Sequence, residues 1–257
     1  MSTQFKNRVA VVTGGAKGMG AATACAFHRE GASVVVMDID DQGAKLAKTF
    51  GRRGLFVRCD VSRGEQVKAA FENIAGRFGG VDVLVNNAGI SRFSTVTETS
   101  EEEWDLVMNI NLKSAFLCAK YAIPSMLSRG AGVVVNVASV QALQSQARVA
   151  PYTTSKSALL GLTRSIAIDY APKVRCVAIC PGTVDTPMLR NSLLESPDPE
   201  AVLRECNEMH LTKRIAQPEE IAELTVFLSS DKAGFITGQY FRIDGGLGIE
   251  LGGSKRE

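Results

Sequence analysis

The chain is poor in the residues that carry most metal and imidazole chemistry. Only two histidines, His28 and His210, occur among its 257 residues, and neither stands in a cluster with ligand spacing. A catalytic zinc site is therefore not expected. No apolar run approaches the ~18 residues that a membrane-crossing helix needs. Nor does the start of the chain read as a secretory signal, so a cytoplasmic protein without a membrane partner is expected. Charge of one sign is also lacking: the formal net charge is +2, with no dense Lys/Arg run before the last few residues. Nucleic-acid binding is not suggested by that balance. The six cysteines are scattered through apolar contexts. Cys176 and Cys180 share one predicted strand, which sets them ~13 Å apart, too far for a disulfide. Buried, reduced thiols are the expectation.

What the sequence does have is apolar residues in a regular arrangement. With 45% hydrophobic and 22% charged residues, one domain over 1–257 with a large core is expected. Short Val-rich runs predict strands near 8–13, 33–38, 54–59, 81–86, 132–138, 173–179 and 239–243. Helical patterns fall between them, near 18–30, 41–50, 63–78, 100–129, 152–170 and 218–229. Strands that are apolar on both faces and separated by helices imply an α/β fold, with a parallel sheet of seven strands doubly wound by helices. Ser100 with Glu103 has the spacing of a capping box, and Pro124 should kink or interrupt the segment that follows. Asp198-Pro199 and Gln217-Pro218 look like further helix starts. The stretch 187–215 is the one long interruption of the alternation and is expected to form a substrate lid. The Gly-rich tail 245–257 is expected to be flexible.

Two stretches carry chemistry. The first runs from the strand Val9-Ala10-Val11-Val12 into Thr13-Gly14-Gly15-Ala16-Lys17-Gly18-Met19-Gly20. A strand, a glycine-rich turn and a helix form the setting for a pyrophosphate at a helix N-terminus, where backbone N–H groups point at the anion. Gly14, Lys17, Gly18, Met19 and Gly20 are the candidate phosphate-loop residues. The second strand ends at Asp38, eighteen residues after Gly20, close to the ~20 expected for the acid that accepts from an adenosine ribose. Ile39 follows it in the cofactor set. A carboxylate there repels a 2′-phosphate and favours NAD over NADP. Lys17 is the opposing signal, because a cation in this loop could help such a phosphate.

The second stretch runs from Ser139 to Lys156. Tyr152 and Lys156 are four apart, on one face of a predicted helix with Pro151 at its start. Tyrosine titrates near ~10, so a phenolate base at pH 7 needs ~4 kcal/mol of help, and a fixed cation nearby can supply much of it. Between Ser139 and Tyr152 the chain is polar, with Gln141, Gln144, Ser145, Gln146 and Arg148. Arg92 and Arg190 are further candidates for the mouth of the pocket.

In order and spacing the chain resembles the short-chain dehydrogenase/reductase family, with its Rossmann fold, over essentially its whole length. The matching pieces are Thr13-Gly14-x-x-x-Gly18-x-Gly20, Asp60-Val61, Asn86-Asn87-Ala88-Gly89, Asn111-Leu112, Ser139, Tyr152-x-x-x-Lys156, Pro181-Gly182-x-Val184-x-Thr186 and Asp244-Gly245-Gly246. The resemblance implies an oxidoreductase with NAD as cofactor. Asp60 and Val61 would contact the adenine, and Asn87, Ala88 and Gly89 the cofactor ribose. Pro181, Gly182, Val184 and Thr186 would lie at the nicotinamide. Asn111, Ser139, Tyr152 and Lys156 would form a catalytic tetrad, in which Asn111 fixes a water that links Lys156 to solvent. Ser139, Gln141, Arg148 and Tyr152 would meet the substrate. Within the family, Ser139-Val140-Gln141 and Tyr152-Thr153-Thr154-Ser155-Lys156 look most like the sugar dehydrogenases, so a small-molecule sugar substrate, neutral or acidic, is implied. A 3-oxoacyl-thioester reductase is the alternative enzyme, and a non-catalytic dinucleotide sensor the alternative of another class. Relatives are commonly homotetramers built on the 100–129 and 152–170 helices.

Overall fold

The structure, a computed structural model, describes residues 4–249; the part of the tail from 250 to 257 lies outside them. Seven parallel strands form one sheet: β1 (Val9–Thr13), β2 (Ser33–Asp38), β3 (Gly54–Arg58), β4 (Val83–Asn86), β5 (Gly132–Val137), β6 (Val174–Pro181) and β7 (Tyr240–Ile243). Their order across the sheet is β3-β2-β1-β4-β5-β6-β7. The chain begins mid-sheet, winds outward to β3, then returns beside β1 and winds the other way. The reversal between β1 and β4 opens a crevice at their C-terminal ends, where such sheets bind ligands.

The strands are apolar on both faces because both faces are covered. In β1, Val9 and Val11 face one core and Ala10 and Val12 the other. On the first face pack α3 (Gly64–Phe78), α5 (Ser114–Ser128) and α6 (Ala150–Tyr170), through residues such as Phe71, Met126 and Ile166. The second face carries α1 (Gly18–Arg29), α2 (Gln42–Thr49) and α9 (Pro218–Ser229), through Phe27, Ala47 and Ile221. All six cysteines are free thiols; Cys59, Cys118, Cys176 and Cys180 are buried as expected, whereas Cys25 is exposed.

The predicted helix 100–129 is divided, and not where Pro124 suggested. It comprises α4 (Glu101–Met108), a wide turn over Asn109–Lys113, and α5. In the wide turn the Ser114 N–H reaches back five residues to the Asn109 carbonyl, the one-residue bulge that often marks a functional site. Pro124 lies inside α5 without ending it, because Ala122, Ile123 and Met126 around it are buried in the core. Ser100 caps α4 by accepting from the Glu103 N–H at 3.1 Å. The Glu103 carboxylate turns instead to the Ser94 hydroxyl at 3.0 Å, so half of the predicted capping box forms.

The stretch 187–215 holds two helices, α7 (Pro187–Leu194) and α8 (Pro199–Glu208). Asp198 caps α8, accepting from the Ala201 N–H at 2.9 Å. Part of the tail expected to be flexible is a defined turn: Gly246 donates to the Asp244 carboxylate at 3.1 Å and Leu247 to its carbonyl at 3.0 Å. Among the described residues no helix is long and apolar enough to cross a membrane.

Candidate active site

At the C-terminal edge of β1 and β4 lies a cleft of about 290 Å³. Its floor is the glycine-rich turn. Gly14 has φ +60°, and a β-carbon there would stand 2.9 Å from the Ala88 backbone. A β-carbon on Gly20 would overlap the Gly14 carbonyl and press on the Asn87 amide. The turn can therefore lie this close to the β4 end only with glycine at both positions. Asn87 fixes it in place, donating to the carbonyls of Thr13 and Gly14 at 2.9 and 3.0 Å. The buried Thr13 hydroxyl accepts in turn from the N–H groups of Asn87 and Ala88, each at 3.0 Å.

At one end of the cleft stands Asp38. Its carboxylate accepts from the Ala16 N–H at 2.9 Å and the Asp40 N–H at 3.0 Å, so the phosphate turn and the end of β2 are tied to one side chain. Lys17 lines the same cleft, and its ammonium meets the Asp40 carboxylate at 2.5 Å. Met19, Ile39, Asp60, Val61, Ala88, Gly89 and Thr186 line it too. Asp60 is oriented by the Ser62 hydroxyl at 2.6 Å, which holds its carboxyl below the usual range.

Deeper along the sheet edge the four predicted catalytic residues converge. Ser139 lies two residues past β5 and accepts from the Gln141 N–H at 3.1 Å, which aims its hydroxyl; that hydroxyl faces Tyr152 closely enough to favour its phenolate. The first turns of α6 carry Tyr152 and Lys156, and the Lys156 ammonium lies 5.7 Å from the Tyr152 ring centre. Lys156 is buried and donates to the Val137 carbonyl at 2.8 Å. Gly89 closes the group: a β-carbon on it would sit 3.3 Å from both the Asn111 oxygen and the Lys156 nitrogen.

The electrostatics differ from the sequence expectation. Burial pushes the Tyr152 phenol up from its ordinary value, and the hydrogen bond from Ser139 only partly offsets this. Burial pulls Lys156 down to about 8, against a small opposing contribution from Cys180. The low-dielectric pocket acts against both charged forms, so the protein side chains by themselves do not produce the lowered tyrosine that the Tyr-Lys spacing suggested. Asn111 completes the group. It sits in the wide turn between α4 and α5, and both its amide hydrogens are committed, to the Ile90 carbonyl at 2.9 Å and the Ser155 hydroxyl at 3.0 Å. Its oxygen accepts from the Ile90 N–H at 2.8 Å. The side chain clamps the segment after β4 to α6.

Other predicted residues lie at the end of β6 and just after it. Pro181 ends β6 in register with Ile243, and Gly182 donates to the Ile243 carbonyl at 3.0 Å. Val184 is buried and pairs with Ala216, so it packs in the core while Thr186, two residues on, reaches the cleft. The predicted arginines are already engaged. Arg148 pairs with Glu98 at 3.0 Å and Arg190 with Asp185 at 2.8 Å. Arg92 is exposed and bonds its neighbour's carbonyl at 2.9 Å. The Arg148 guanidinium thus already has a carboxylate partner in Glu98. Gln141 is half-buried; it donates to Gln146 at 3.0 Å and accepts from Thr153 at 3.4 Å.

Sequence reasoning missed Ile90, Ile110 and Met188, apolar residues that complete the cleft wall. It also missed His210. That imidazole is 2% exposed and accepts from the Thr183 N–H at 3.2 Å. Since that nitrogen must accept, the other carries the proton and donates to the Cys206 carbonyl at 2.6 Å. A histidine in a chain with only two was the available signal.

A family model described as enoyl-(acyl carrier protein) reductase matches residues 14–248. A Danio rerio protein named dehydrogenase/reductase SDR family member 6 is 40% identical over 246 residues, 95% of this chain and 98% of that one. The chain belongs to the short-chain dehydrogenase/reductase family. Another relative, 2-(S)-hydroxypropyl-CoM dehydrogenase 3 of Xanthobacter autotrophicus, is 38% identical over 253 residues, 96% of this chain and 99% of that one. Among solved structures, the ligand-free aldohexose dehydrogenase of Thermoplasma acidophilum superposes with a TM-score of 0.92 at 38% identity, covering 100% of both chains. Membership in the short-chain dehydrogenase/reductase family makes the protein an oxidoreductase with a nicotinamide dinucleotide cofactor. The cleft fits that group: a glycine cradle closed to any β-carbon adjoins a carboxylate at ribose distance in sequence.

Proposed function

We propose that the protein is an NAD-dependent dehydrogenase that oxidises a cyclic sugar at its anomeric hydroxyl, giving a lactone. The observation that carries the reaction class is the convergence of Ser139, Tyr152 and Lys156 beside the glycine cradle. Bound NAD would supply the hydride acceptor. Gly14, Gly18 and Gly20 would hold its pyrophosphate, Asp38 its adenosine ribose, and Thr186 the nicotinamide end. Tyr152 would take the proton from the substrate hydroxyl as general base. Ser139, aimed by the Gln141 N–H, would hold the same oxygen at a fixed distance. Lys156 keeps its charge below pH ~8, and this fixed cation opposes the upward shift that burial imposes on Tyr152.

Two observations support the sugar. The wall between Ser139 and Tyr152 is a connected polar surface in which Gln141, Gln146 and Thr153 bond one another and Ser145 bonds Thr153 at 3.0 Å. A pyranose offers hydroxyls to such a wall, where each buried polar group left unpaired costs ~1–3 kcal/mol. A solved relative of high similarity is an aldohexose dehydrogenase. A neutral sugar is favoured over an acidic one because Arg148 and Arg190 already have carboxylate partners. The test compares NAD reduction with neutral aldoses, sugar acids, apolar secondary alcohols and, in reverse, acetoacetyl thioesters. Neutral aldoses should be the best substrates, and Gln141→Ala should raise KM for the best of them without changing NAD affinity. Activity confined to apolar alcohols or thioesters would overturn the sugar.

A further inference from the structure

The reading of Asp38 as an NAD-selecting acid leaves Lys17 unexplained, since a lysine in the cleft wall is the natural partner of a 2′-phosphate. The loop after β2 resolves the conflict. It reads Asp38-Ile39-Asp40-Asp41, and its acids have different partners. Asp38 takes two backbone N–H groups, one of them from Asp40, and stays beside the cleft. Asp40 takes the Lys17 ammonium at 2.5 Å on one oxygen, while its other oxygen accepts from the Gln42 N–H at 2.9 Å. The Gln42 bond fixes the carboxylate independently of Lys17, so the lysine is drawn to a pre-set anion. The Lys17 hydrogen bond, followed by that from Gln42, holds the Asp40 carboxyl below its ordinary range. Asp40 is therefore ionised at neutral pH.

We propose that Asp40 is a second cofactor-specificity residue, which acts by holding Lys17 away from the place where a 2′-phosphate would sit. This rests on the NAD reading above. Asp38 supplies repulsion of the phosphate; Asp40 removes the attraction that would compete with it. The pair is partly exposed, with side chains 46% and 33% accessible, so its effect is modest and measurable as a coupling.

The test is a double-mutant cycle on cofactor binding, which needs no substrate. Dissociation constants for NADH and NADPH are measured by nicotinamide fluorescence for the wild type, Asp40→Asn, Lys17→Met and the double variant. Asparagine preserves the acceptor for Gln42 and removes only the charge. Asp40→Asn should tighten NADPH by about three- to tenfold and change NADH by less than twofold. Lys17→Met should weaken NADPH at least threefold more in the Asp40→Asn background than in the wild type, because only there is the lysine free to meet the phosphate. If Lys17→Met costs the same in both backgrounds, Asp40 contributes only its bulk charge and the proposal is overturned. A wild type that binds NADPH more tightly than NADH would contradict the NAD reading instead. The coupling, a difference between backgrounds, would still decide the role of Asp40.

Discussion

Lys156 shows most plainly how a single residue trades stability for chemistry. It is a buried ammonium whose hydrogen bond to a protein carbonyl goes to Val137, and burying a charge without a counter-ion is costly. Its folded pKa, about 8, lies below the ordinary lysine value. Below pH 8 the lysine is charged in both states, and the folded state bears the full penalty. Between pH 8 and ~10.4 the folded protein releases the proton first, and the penalty falls away. Lys156→Met should therefore raise stability at pH 7 by roughly 1–3 kcal/mol while abolishing turnover. The gain should shrink in denaturant titrations as the pH climbs from 8 toward 10.4. A destabilised Met variant at pH 7 would show that the ammonium has a counter-charge. Asp38 gives a second prediction. If Asp38 selects NAD as proposed, Asp38→Ala should lower the NAD/NADP ratio of kcat/KM about tenfold or more, ~1.4 kcal/mol. An unchanged ratio would place selection elsewhere.

At the scale of elements, the strands and most helices were legible because a parallel sheet covered on both sides writes itself as Val-rich runs between amphipathic stretches. All seven strands lie within one or two residues of where the pattern puts them. The wide turn at Asn109–Lys113 was not legible, because it adds one residue to a helix whose apolar pattern continues through it. Asn111 was legible as a site residue but not as a clamp, since its partners Ile90 and Ser155 are 21 and 44 residues away. The role of His210 depends equally on distant contacts. It ties the end of α8 to the segment after β6, where Thr183 and Thr186 stand. Here His210→Phe leaves the Thr183 N–H and the Cys206 carbonyl without partners, at ~1–3 kcal/mol each when buried. The variant should melt at a lower temperature and show a raised KM for cofactor with a smaller change in kcat. An unchanged KM would mean that α7 and α8 are not coupled to the cofactor through this residue.

On the whole molecule, the sheet reversal places the cleft and the catalytic group at the C-terminal ends of the central strands. Trp104, Leu106 and Phe116 on α4 and α5, with Ile168 on α6, are large apolar side chains left exposed. Exposed apolar residues on these helices are where subunit contacts are tested first. Phe116→Asp should lower the mass seen by light scattering, whereas an unchanged mass would move the interface elsewhere. The substrate is the least legible property, because the polar groups between Ser139 and Tyr152 bond one another and composition alone does not name their ligand.

The central claim is that Tyr152 is the proton acceptor of an NAD-dependent oxidation, and one substitution tests it. Tyr152→Phe keeps the ring and removes the oxygen. With the best aldose, kcat should fall at least ~100-fold, within the range that general acid–base groups supply, while the dissociation constant for NADH stays within about twofold of wild type. Near-native turnover in the phenylalanine variant would contradict the account.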